Sequence, residues 1–171
     1  MPTSQPTHAD ADLVLKLYDL RREALMRLSR QKILQWMPQK FEDLRAIVDL
    51  QHPDNAAWRQ VSSYFEYAFG FARHGIVPPD FLAEYNGEGL LLYAKIEPFL
   101  AQFRAEIAPT AFGNSEWIVQ NSAFARGRLE LFRKRLAAQQ APGAADRGGG
   151  NKRGKKGDKK PSKTKGKRGV R

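Results

Sequence analysis

The stretch DNAAWRQVSSYFEYAFGFARHG, residues 54–75, decides the reading of the fold. Its apolar side chains Trp58, Val61, Phe65, Phe69 and Ala72, with Ala68 beside them, recur every three or four residues. A backbone that turns once in about 3.6 residues brings such positions to one face. The period-two alternation of a half-buried strand is missing. Asp54 or Asn55 supplies an N-cap, and Gly75 is the residue type that ends helices in the left-handed conformation. A helix carrying so large an aromatic face needs apolar partners on several sides, and the flanking sequence offers them.

Upstream, Thr7 reads as an N-cap with Asp10 in the first helical turn, where a carboxylate suits the positive end of the dipole. Leu13, Leu17, Leu20, Ala24 and Leu28 follow at spacings of 4, 3, 4 and 4, which predicts one helix continuing through Trp36 and Met37 to Pro38. Phe41, Leu44, Ile47 and Val48 predict a short helix that closes before His52-Pro53. Downstream, Pro78-Pro79-Asp80 starts a short helix with Phe81, Leu82 and Tyr85, and Asn86-Gly87 turns the chain. Leu92, Ile96, Phe99, Phe103 and Ile107 keep one helical phase across Pro98, which predicts a kinked helix rather than two. Asn114 or Ser115 then caps a last helix with Ile118, Ser122, Ala125, Leu129, Phe132 and Leu136 on one face. The expectation is an all-α domain over residues 9–140, a compact bundle of about five or six helices, preceded by a flexible stretch at 1–8. No internal repeat of solenoid length is present.

Charge divides the chain differently. Of 29 Lys and Arg and 18 Asp and Glu, residues 142–171 hold 12 and 2, leaving 17 and 16 for the first 141. The formal charge of +11 is therefore +10 on the last 30 residues and +1 on the rest. That segment also has 8 of the 14 glycines, no aromatic residue and one aliphatic, Val170. Such a composition buries too little apolar surface to offset its chain entropy, so residues 141–171 are expected to be a disordered Gly- and Lys-rich tail. The body, with all 18 aromatics, can form a core of its own.

Several classes are excluded or left without support. With no cysteine there is no disulfide framework and no Cys-based metal site. Apolar runs such as LLLYA at 90–94 fall far short of the roughly 20 residues of a membrane helix. Residues 1–12 lack the basic and apolar regions of a secretory signal, and a cytoplasmic protein is expected. His8, His52 and His74 are isolated, and neither a nucleophile elbow nor an H-E-x-x-H pair occurs. Residues 149–155 match the phosphate-loop pattern G-x-x-x-x-G-K, yet Lys156 stands where Ser or Thr would hold magnesium, and no strand precedes it. Thus no catalytic residue, metal ligand or cofactor is expected, and the protein reads as no enzyme.

The strongest functional signal is the cationic strip itself: Lys152, Arg153, Lys155, Lys156, Lys159, Lys160, Lys163, Lys165, Lys167, Arg168 and Arg171. A strip of this kind neutralises phosphates and releases counterions without reading bases, so nucleic acid, RNA or DNA, or another polyanion is the expected partner. With no interleaved aromatics it cannot stack on bases. Anionic lipid is a second polyanion it would suit, and a solubilising extension is the bland alternative. Arg126, Arg128, Arg133, Lys134 and Arg135 lead toward the strip and either extend its footprint or form a solvated face.

In the body, polar residues embedded in apolar helices stand out. Arg59, Glu66, Tyr93, Glu97 and Arg104 would form a structural polar network if the two helices that carry them pack together, with Glu66 and Glu97 facing Arg59 or Arg104. Gly70 interrupts the first of these helices where another backbone could come close. The alternative is a carboxylate site near Glu66 and Glu97 with acid–base or metal chemistry.

The sequences LVLKLYDLRREALMR at 13–27, Phe41-Glu42-Asp43, RQVSSYFEYA at 59–68 with His74-Gly75 after it, and LLYAKIEPFLAQFR at 91–104 resemble a family of uncharacterised bacterial helical proteins described only as a domain of unknown function. The likeness runs over residues 10–138 and leaves out the tail. It implies an all-helical domain and carries no activity, cofactor or catalytic residue. Three functions therefore stand open: nonspecific nucleic-acid binding by the tail, a protein-interaction module formed by the body with a solubilising tail, and an enzyme centred on Glu66 and Glu97.

Overall fold

A computed structural model describes residues 5–140. Residues 1–4 of the expected flexible lead-in and the whole cationic segment 141–171 lie outside the described residues. Among the described residues the fold is all-α, without a strand: α1 (His8–Arg22), α2 (Ala24–Gln35), α3 (Phe41–Val48), α4 (Asn55–Arg73), α5 (Pro79–Tyr85), α6 (Gly87–Ile96), α7 (Leu100–Glu106), α8 (Gly113–Asn121) and α9 (Ala123–Gln140). A 3-10 turn, Glu97–Phe99, joins α6 to α7.

The centre is α4, which packs against α2, α3, α5, α6 and α8. Its Trp58, Val61, Phe65, Ala68, Phe69 and Ala72 are all buried, as the 3.6-residue period requires. Trp36 and Phe112 flank Trp58 with ring centroids 5.4 and 5.8 Å away, so three segments meet on one aromatic row. Gly75, at φ 72°, ends α4: Ile76 N donates to Phe71 O and Gly75 N to Ala72 O, the paired bonds of a left-handed helix stop. At Gly89 a Cβ would stand 2.6 to 2.9 Å from ring atoms of Phe65 and Phe69, so α6 crosses α4 at a distance that only glycine permits. At Gly70 the neighbour is the Asn114 side chain rather than another backbone, its Nδ2 lying 3.1 Å from where a Cβ would be.

The bundle has more helices than the five or six expected, because three of the expected helices divide. The first breaks at Glu23, whose ψ of 140° is extended, and Arg30 Nη1 donates to Arg21 O at 3.0 Å across the break. The break resets the inward phase: Val14 and Leu17 are buried before it, Met26, Ser29 and Ile33 after it, while Leu20, Ala24 and Leu28 are exposed. Around Pro98, the expected kink is instead a stop at Ile96, the 3-10 turn and a new helix from Leu100. Proline lacks the N–H that a continuing α-helix would use. Of the expected face Leu92, Ile96 and Phe103 are buried, Leu100 takes the place of the half-buried Phe99, and Ile107 is 40% exposed. The last helix divides at Ser122, which is a cap rather than a mid-helix residue: its Oγ accepts from Ala125 N at 2.9 Å and donates to Asp80 Oδ1 at 2.5 Å.

Candidate functional site

The sequence directs attention to Glu66, which sits about three turns into α4 with one polar edge facing the start of α8. Its carboxylate accepts from Asn114 N at 3.0 Å, Ser115 N at 2.8 Å and Ser115 Oγ at 2.6 Å. Asn114 Nδ2 returns a bond to Glu66 O at 2.9 Å, and Arg73 Nη1 donates to Asn114 Oδ1 at 3.1 Å. Asn114 and Ser115 are thus inside the first turn of α8, and the cap comes from another helix. A carboxylate there takes up amide donors that the helix cannot satisfy itself and meets the positive end of its dipole. The residue before α8, Phe112, holds φ 56°, a left-handed conformation uncommon for a bulky side chain and fixed here by its seat against Trp58.

Beside this cap lies a cavity of about 640 Å³, lined by Trp58, Arg59, Ser62, Glu66, Phe103 and Phe112 among others. Arg59 and Glu66 therefore share a cavity wall. Ser62 and Ser63 spend their hydroxyls on the backbone of their own helix, on Trp58 O at 2.7 Å and Arg59 O at 2.6 Å. With three donors on the Glu66 carboxylate, its geometry is that of a helix cap.

Tyr93, Glu97 and Arg104 gather elsewhere. Glu97 takes a bidentate pair from Arg133 of α9, Nε to Oε2 at 2.8 Å and Nη2 to Oε1 at 2.5 Å. Arg104 donates to Ala111 O at 3.0 Å and pairs with Glu116 of α8, also at 3.0 Å. The buried Tyr93 phenol stands amid these charges: burial first, then Glu97 and Glu116, pushes it up to about 12. The structure therefore separates the five network residues into two groups. Glu66 and Glu97 have no partner in common, and the expected facing of either carboxylate with Arg59 or Arg104 is replaced by Asn114 and Ser115 for one and Arg133 for the other.

Two polar sites lay beyond the sequence reading. Lys95, buried on α6, donates to the carbonyls of Ile33, Leu34 and Trp36 at 3.3, 2.6 and 2.8 Å and so closes the C-terminal end of α2. Burial pushes its ammonium down to about 8. The available signal was a lysine in the run LLLYAKI, one residue before the buried Ile96. The second is Glu88, which receives Arg30 Nε at 2.6 Å and Arg30 Nη2 at 2.5 Å, with Arg21 Nη2 at 3.2 Å. Burial works to raise the Glu88 carboxyl, but the Arg30 and Arg21 guanidiniums outweigh it and hold the group below the usual carboxylate range. No periodicity marks these partners, which are 58 and 67 residues from Glu88 in the chain.

Among the described residues, no group of three His, Cys, Asp or Glu comes together to hold a metal ion. The cationic strip from Lys152 to Arg171 lies outside the described residues. On α9, which leads toward it, Arg128 and Arg135 lie over the rings of Phe124 and Phe132 at 5.4 and 6.0 Å, and Arg126 Nη1 donates to Gln120 O at 2.6 Å. Arg126, Lys134 and Arg135 are exposed, whereas Arg133 is engaged by Glu97. No helix of the described residues is long and apolar enough to cross a membrane.

Fold and polar sites together define an all-helical domain whose buried and half-buried charges cap helix ends and tie helices to one another. The chain belongs to the family described as Domain of unknown function (DUF4760), whose model matches residues 6–122. The match takes in α1 to α8 and ends at Ser122, so α9 and everything after it lie beyond it. Neither the curated proteins nor the solved structures give a match.

Proposed function

We propose that the protein is a non-enzymatic, cytoplasmic binding protein whose cationic C-terminal segment engages RNA or DNA without sequence preference. The observation that carries this reading is the separation of charge, +10 on residues 142–171 against +1 on the rest. Phosphate neutralisation with counterion release needs only that density of lysine and arginine, and nothing in the strip offers base readout. The exposed cations of α9 add residues of the same sign that precede it in the sequence. The engagement of Glu66 and Glu97 in structural bonds supports the non-enzymatic half of the reading.

The test is a set of charge-removal variants. Replacing Lys155, Lys156, Lys159 and Lys160 with Gln lowers the slope of log affinity against log salt by about one for each phosphate no longer neutralised, on every nucleic acid alike. A slope that stays constant, or an affinity that follows base sequence, rejects the reading. A second reading, that the body binds a protein partner, is favoured by Leu20, Leu25 and Leu28, which are 59%, 59% and 60% exposed on α1 and α2. It predicts that Leu25→Lys abolishes partner binding while the salt slope on nucleic acid is unchanged.

A further inference from the structure

A second cavity, of about 610 Å³, opens between α1 and α5 and shares no lining residue with the one beside Glu66. Its volume falls in the range of roughly 300–1,000 Å³ typical of small-molecule sites. Val14 and Leu17, both buried, and Phe81 make its walls apolar, and Tyr18 and Tyr85 line it while 52% and 53% exposed. Phe81 and Tyr85 meet edge to face with ring centroids 5.3 Å apart, an arrangement that a further ring can extend. Of the polar groups, the Tyr64 hydroxyl is already committed, donating to Leu17 O at 2.8 Å.

The charges around the groove cancel. Arg21 Nη2 and Arg30 Nε reach Glu88 Oε2 at 3.2 and 2.6 Å, and Glu84 adds a second carboxylate to the lining. An ion of either sign would leave water there and find no unmatched charge. The open polar group is Asn86, which is 2% exposed and follows Tyr85 in the lining. Its Nδ2 donates to Leu82 O at 2.9 Å, and because only the NH2 half of an amide can meet a carbonyl, Oδ1 is the atom left over. Oδ1 receives no bond from the first amides of α6, which Asn86 precedes, nor from any side chain among the described residues. Among those residues Arg21 Nε is the one side-chain nitrogen or oxygen both unpaired and closed to solvent, so the unpaired Asn86 Oδ1 stays within reach of a molecule in the groove.

We propose that this groove binds a small uncharged molecule with an apolar ring and one hydroxyl, the ring between Tyr18, Phe81 and Tyr85 and the hydroxyl donating to Asn86 Oδ1. A molecule without the hydroxyl would cover that acceptor and leave it unmet. A charged group in its place would lose its water without gaining a counter-ion. The site is built by the body alone, so it stands or falls apart from the polyanion reading.

The experiment follows the Asn86 side-chain amide and the Val14 and Leu17 methyl resonances of the full chain by NMR while 4-propylphenol is added at neutral pH. The expected result is a saturable one-site shift of all three. Two probes of similar body, 4-propylanisole with the hydroxyl capped and 4-propylbenzoate with a charge in its place, should each bind about ten-fold more weakly, the factor that one hydrogen bond to a buried acceptor is worth. Tyr18→Ala removes one wall at a half-exposed position, where the fold tolerates it, and is expected to weaken 4-propylphenol by about the same factor. Equal binding of the phenol and its methyl ether, tighter binding of the benzoate, or an affinity unchanged by Tyr18→Ala would overturn the proposal.

Discussion

Gly89 shows how a single atom sets the spacing of two helices. Adding a methyl group there drives a Cβ to within 2.6 to 2.9 Å of the Phe65 and Phe69 rings, both at the bottom of the core. Gly89→Ala is expected to lower stability by about 1–3 kcal/mol in urea unfolding, the usual cost of overpacking. Lys95 makes a pH-dependent claim. The unfolded chain keeps this proton up to the ordinary lysine value of 10.5, the folded chain only to about 8. Unfolding therefore takes up a proton between those limits, and stability rises with pH across that window. Tyr64 and Tyr93 act the other way: burial pushes both from 10.0 up to about 12, so the stability they contribute is present below pH 10 and lost above it. Unfolding free energies measured along a pH series should reach a maximum near pH 10, and Lys95→Met should remove the rise that precedes it. Neither Gly89 nor Lys95 was legible in the sequence, since a glycine and a lysine acquire these roles only from what packs over them.

At the scale of elements, the helical nature of the chain was plain from spacing alone, and the aromatic face of α4 lies where its period put it. The divisions between helices were not legible, because tertiary partners make them. Glu23 carries no breaker; the break there goes with Arg21 and Arg30, which both reach Glu88 on α6. Ser122 continues the apolar face of a notional long helix, yet Asp80 of α5 takes its hydroxyl and also accepts from Phe124 N at 3.1 Å. Ser122→Ala removes this cap and one partner of Asp80, and is expected to cost about 1–2 kcal/mol of stability by thermal or urea unfolding. Asp80→Asn, which can still accept at its amide oxygen, should cost less. A loss of only a few tenths of a kcal/mol in Ser122→Ala would mean that α8 and α9 are divided by packing rather than by the cap. The candidate site was legible in the same partial way: its residue types stood out, but Glu66 and Glu97 found their partners on α8 and α9, at sequence distances no local pattern reports.

At the scale of the whole molecule, two physical regimes share one chain. The body reaches stability by burying aromatic and aliphatic surface around α4 and by closing helix ends with Glu66, Lys95 and Ser122. The last 30 residues carry nearly all of the net charge and almost nothing that can be buried. The family match ends before α9, so the proposed polyanion-binding role belongs to sequence beyond the region that the family shares. Its most direct test compares the full chain with a form ending at Ala141 for binding to a mixed-sequence RNA between 50 and 200 mM salt. With about six to ten phosphates neutralised, the full chain should lose some 10³–10⁵ in affinity over that range on duplex, somewhat less on a single strand, and the shortened form should bind far more weakly with a much smaller slope. Equal affinity and equal slope for the two forms would contradict that role.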